Sequence, residues 1–127
     1  MTVVRVMRVA AIAAALAFAG PAAANDEQES QALANFGATD AFAKSPCNQA
    51  TIADMQSYAR FREQVLGNIV LAAVQRTGER ASAIRQQLDN FMLEYEERFG
   101  GMIAAQGCEG DEVQKLRALF LRHIAQG

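Results

Sequence analysis

Two cysteines, Cys47 and Cys108, stand 31 and 30 residues from one glycine between them, Gly78 (78 − 47 and 108 − 78). Both flanks of Gly78 carry the apolar spacing of long amphipathic helices. A chain that folds back at Gly78 therefore has arms of equal length, and its two sulfurs arrive side by side at the open end. The expected architecture is all-α, a small helical bundle built on a long antiparallel helical hairpin closed by a Cys47–Cys108 disulfide. With the cysteines 61 positions apart (108 − 47), the chain-entropy account assigns such a bond about 4 kcal/mol.

The stripes themselves are read from side-chain spacing. On the first arm Ile52, Met55, Ala59, Leu66, Ile69 and Ala73 recur at helical intervals, widened by Tyr58, Phe61, Val65 and Val70. Asn48 is the expected N-cap and Thr77-Gly78 the stop. Arg62 interrupts the stripe and is expected to snorkel its charge to water. The second arm places Ile84, Leu88, Phe91, Met92, Tyr95 and Phe99 on one face, with Met102 and Ile103 in phase. Gly100-Gly101 is its weak point, because each glycine costs about 1 kcal/mol against alanine in a helix. A last helix is expected from Asp111, with Gln114 at capping-box spacing and Val113, Leu116, Phe120 and Ile124 inward. The expected spans are 48–77, 80–106 and 111–125. Leu71, Leu93 and Leu121 fall off the stripes and are read as core residues meeting a neighbouring helix; together on the surface they would mark a contact patch.

Upstream, residues 1–24 read as an export signal. Arg5 and Arg8 precede an alanine-rich apolar run from Val9 to Ala19, Gly20-Pro21 is expected to break any helix, and Ala22-Ala23-Ala24 offers the small residues of a cleavage site before Asn25. The apolar run is shorter than the ~20 residues that span a bilayer. Residues 25–46 form an N-terminal arm of short helical turns: Leu33 and Phe36 on one edge, a stop at Gly37, a new turn from Thr39-Asp40 carrying Phe42, and an end at Ser45-Pro46. Residues 47–127 form the disulfide-closed bundle. Export places the cysteines where thiols oxidise, which favours a structural bond.

Removing Arg5 and Arg8 from the 12 basic residues leaves 10 against 14 acidic ones, a net charge of −4. The remaining cations are scattered, so nucleic acid and anionic lipid are poor partners. Catalytic signatures are missing: no Cys-x-x-Cys, no Glu-x-x-His, no phosphate loop, and one histidine, His123, without a local nucleophile motif. His123 is expected to pack, or to act as a cation at the C-terminal end of its helix. No catalytic residue, metal site or cofactor is expected. The reading that follows is a non-enzymatic periplasmic or secreted protein-interaction factor (an accessory subunit, inhibitor or chaperone-like protein) whose partner is another envelope or secreted protein; a homodimer is compatible with it. Phe36 and Phe42, aromatic and outside the patterned bundle, are the expected partner-binding anchors, against the alternative that both rings cover the end of the core. The alternative function is a helical-bundle carrier of haem or a metal ion, with His123 and one of Met55, Met92 or Met102 as ligands.

Overall fold

The computed structural model describes residues 13–127, with side chains from residue 27 onward. Four helices are present and no strand occurs among the described residues: α1 (Ala13–Lys44), α2 (Ile52–Thr77), α3 (Ala81–Gln106) and α4 (Asp111–Gln126). The chain divides into two compact units, Met1–Ala32 and Leu33–Gly127. The first contributes the helical residues 13–32, and Arg5, Arg8 and the beginning of the apolar run lie outside the described residues. The second is the all-α bundle, with Cys47 and Cys108 bonded at a Cα separation of 5.4 Å.

The hairpin forms for the expected reasons and starts at a different cap. Thr51, not Asn48, is the N-cap of α2: its hydroxyl accepts from the Asp54 N–H at 3.0 Å while the Asp54 carboxylate accepts from the Thr51 N–H at 3.3 Å. Asn48 instead binds the preceding turn, donating to the Ala43 carbonyl at 2.8 Å and accepting from the Ala50 N–H at 2.8 Å. Gly78 ends α2 at φ 74°, a left-handed conformation that glycine adopts without cost. The two arms are 26 residues each, so each is roughly 40 Å long. Helix α3 passes through Gly100-Gly101 without ending and stops at Gln106. Helix α4 starts without the expected capping box: Gly110 is its N-cap, and Gln114 donates to the Cys108 carbonyl at 2.6 Å. Asp111 and Glu112 face the positive end of its dipole, and Val113, Leu116, Phe120 and His123 turn its inner face to α2, its main neighbour.

The largest departure from the sequence reading is α1. It is one helix to Lys44, not a series of short turns, and neither Gly20-Pro21 nor Gly37 interrupts it. Alanines at 13–15, 17, 19 and 22–24 flank Gly20-Pro21 with the strongest helix formers. Gly37 serves a different purpose from a stop. A Cβ added there would stand 2.5 Å from Tyr95 Cβ and 2.7 Å from the Met92 carbonyl oxygen, so the missing side chain is what lets α1 lie against α3. Because the obstacles are a Cβ and a backbone oxygen, neither can swing aside. Gly37→Ala is expected to cost about 2 kcal/mol and lower the melting temperature by roughly 10 °C, read by circular dichroism. An unchanged melting temperature would show that α1 and α3 do not approach this closely.

Candidate functional site

The segment Leu33–Lys44 of α1 lies over the bundle and carries the polar centre of the core. Leu33, Phe36, Ala38, Ala41 and Phe42 are buried around it, and between them Thr39 is fully enclosed and Asp40 is 9 % exposed. This is where the expected anchors sit. Phe36 lies against Tyr58, Phe61 and His123, with ring centroids 6.4, 5.7 and 4.7 Å away, and Phe42 lies 5.3 Å from Phe120. Both phenylalanines are at most 3 % exposed, so in this conformation they are core residues and offer a partner no surface. Aromatic contacts of this kind hold the segment to α2 and α4.

Three side chains, Arg62, Tyr58 and His123, converge on Thr39 and Asp40. Arg62, from α2, binds the Asp40 carboxylate through Nε at 3.0 Å and Nη2 at 2.7 Å, a bidentate pair. Tyr58, one turn earlier on α2, donates to the same carboxylate at 2.6 Å. Thr39 Oγ1 lies 2.7 Å from the Tyr58 hydroxyl and 3.3 Å from His123 Nδ1 of α4. The expected snorkelling of Arg62 is therefore incorrect: the guanidinium turns inward because a buried carboxylate 22 residues earlier awaits it, and its side chain is 21 % exposed. Burial opposes the Arg62 charge, but the Asp40 hydrogen bonds and charge more than offset it and hold Arg62 above its ordinary pKa. Outside this centre, Glu63 receives both Arg62 and Arg85, and Arg85 also binds Asp89 at 2.9 Å. The Arg85 hydrogen bond is the main cause that lowers the Glu63 pKa.

Proton counting fixes the histidine. An ionised Asp40 only accepts, so the Tyr58 proton goes to it, and burial followed by the Asp40 charge pushes the phenol further up from its ordinary range. The single Thr39 proton has two acceptors nearer than His123, the Tyr58 oxygen at 2.7 Å and the Asn35 carbonyl at 3.0 Å. Thr39 has none left for His123, so Nδ1–H donates to Thr39 and Nε2 carries the lone pair. His123 is 8 % exposed, with its ring among Phe36, Tyr58 and Phe61. Burial first, then the Arg122 charge, lowers its pKa to about 4 against the pull of Asp40. It is neutral at pH 7, which corrects the expectation of a cation at the helix end.

Two of the three methionines that could serve as haem ligands have other neighbours. Met92 Sδ lies 3.9 Å from Arg62 Nη2, and Met55 Sδ accepts from Asn48 Nδ2 at 3.5 Å. Among the described residues, no group of three or more His, Cys, Asp or Glu is placed to hold a metal ion.

A second feature opens at the disulfide end. A groove of about 450 Å³ lies between the end of α1 and the last turns of α3, floored by Ala41, Gly100, Ile103 and Ala104 and walled by Pro46 and the disulfide. Lys44 and Glu96 form an ion pair of 2.9 Å on its edge. Gly100 has no heavy atom within 4 Å of where its Cβ would be. The glycine read as a weak point of the helix is thus also the residue that leaves the groove open. Leu71, Leu93 and Leu121 are 62, 46 and 52 % exposed, and Ile52 is 81 % exposed. The three leucines expected in the core are on the surface. Among the described residues no helix is long and apolar enough to cross a membrane. Comparison of the chain with protein-family models, with curated proteins and with solved structures finds no match, so its function has to be read from this geometry.

Proposed function

We propose that the protein is a non-enzymatic interaction factor of the periplasm or the secreted space, which holds another exported protein through the groove at its disulfide end. The groove is the observation that carries this reading. Its ~450 Å³ falls within the range of sites that enclose a ligand group, its floor is apolar, and the Lys44–Glu96 pair gives one polar edge for orientation. It suits one or two apolar side chains of a partner's exposed segment. The titratable residues of the core argue in the same direction: Asp40, Arg62 and Tyr58 satisfy one another inside the fold rather than facing a substrate. An exported address, with a mature chain beginning at Asn25, agrees with the disulfide and with the sequence of the first 24 residues.

Filling the groove tests this. Gly100→Leu places a side chain where there is open space and removes a helix glycine, so the melting temperature is expected to hold or rise by a few degrees. Capture of the partner from an exported-protein extract is expected to fall at least about tenfold, whereas Leu71→Ser, on the exposed face of α2, leaves it unchanged. Undiminished capture by Gly100→Leu would remove the groove from consideration.

A further inference from the structure

We propose that His123 is an acid switch: a proton taken up at its Nε2 loosens the segment Leu33–Lys44 from α2 and α4 and uncovers the aromatic core beneath it. The switch does not involve the groove and follows from the imidazole tautomer. Nδ1–H is already committed to Thr39, so an added proton must go to Nε2, which has no hydrogen-bonding partner among the described residues. That proton creates a buried donor without an acceptor and a charge surrounded by Phe36, Phe61 and Tyr58. The protein can relieve both only by admitting water at the junction of three helices.

The segment from α1 is the element placed to yield. The side-chain hydrogen bonds from Thr39 and Asp40 tie the middle of this segment to the bundle, and Thr39 is the residue His123 holds. The groups around the imidazole act in both directions. Asp40 on α1 attracts the added charge; Arg122, its neighbour on α4, repels it. From α2 come Tyr58 and Arg62, the latter already paired with Asp40, and α3 faces this region with the uncharged sulfur of Met92. The disulfide lies just beyond Lys44 and keeps the segment tethered at its C-terminal end.

The sign follows from proton linkage. An unfolded histidine binds its proton near pH 6.5, and the folded one near pH 4. Stability is full above pH 6.5 and declines as pH falls towards 4, over a window in which the closed state loses roughly two orders of magnitude in its equilibrium constant. Local opening of the segment is expected to take most of that loss, exposing Phe36 and Phe42.

Two measurements test it on the intact, oxidised protein. His123 is the only histidine, so its imidazole nitrogen resonances can be followed without assignment ambiguity; an Nδ1–H tautomer and a midpoint near pH 4 are expected, and a midpoint near 6.5 would overturn the proposal. Hydrogen exchange, corrected for its intrinsic pH dependence, is expected to show protection at residues 33–44 falling before that of α2 and α4 between pH 6.5 and 4. In His123→Gln, which retains a neutral donor, that pH dependence should flatten. Simultaneous loss of protection in all helices, or an unchanged profile in His123→Gln, would overturn it.

Discussion

An Arg62→Met protein is expected to lose about 3 kcal/mol of folding stability, which in urea is a drop in midpoint of roughly 2 M. The side chain is similar in length and apolar, so the loss comes from what it leaves behind. Asp40 keeps its hydrogen bond from Tyr58 and loses three contacts of 2.7 to 3.2 Å from the guanidinium. A carboxylate in that position cannot be rehydrated without moving α1. The value is placed at the low end of the range for broken buried pairs because the Asp40 and Arg62 side chains are 12 and 21 % exposed, so some water already reaches them. The same reasoning predicts recovery. Asp40→Leu combined with Tyr58→Phe and Arg62→Met removes the whole set, and most of the lost stability should return, since a buried charge network replaced by packed apolar groups is often neutral. Loss of less than about 1 kcal/mol in the single variant would mean that the pair behaves as a surface salt bridge.

The hairpin was legible in the sequence because its determinants are local and periodic. Thr77-Gly78, the stripes on both arms and the equal spacing of Cys47 and Cys108 each point to one geometry, and α2 to α4 lie within a few residues of the expected spans. What escaped was pairing between elements. Asp40 among Ala38, Ala41 and Phe42, and Arg62 within the apolar stripe of α2, are opposite charges on two buried faces. Read together they signal a partnership; read one at a time they suggest a turn former and a snorkelling arginine. Gly37 shows the same limit, since its role depends on the Met92 carbonyl and Tyr95 of another helix. Phe36 and Phe42 suggest binding because they are aromatic and lie outside the patterned stripes, and a continuous α1 carries both rings into the core.

Breaking the Cys47–Cys108 bond is expected to lower the melting temperature by at least about 10 °C while the helical signal at room temperature persists. The chain-entropy cost of the 61-residue separation gives about 4 kcal/mol, and a domain of this size shifts by roughly 4–8 °C for each kcal/mol. The bond joins the α1–α2 connection to the α3–α4 connection, so it closes the end of the hairpin opposite Gly78. That end has little else to hold it. Gly100 and Gly101 weaken α3 there, α4 begins on a glycine without a side-chain cap, and the groove removes packing between α3 and the end of α1. Loss of the bond should therefore be felt first at residues 100–110 as faster hydrogen exchange, with the Thr39–Tyr58–Asp40 centre opening later. A reduced protein that melts within about 3 °C of the oxidised one would contradict this account. The consequence bears on location, because a small bundle that depends on this bond keeps its stability only where thiols stay oxidised. Expressed without residues 1–24 and retained in a reducing cytoplasm, the chain should accumulate as a protease-sensitive form, and oxidation after purification should restore its melting temperature.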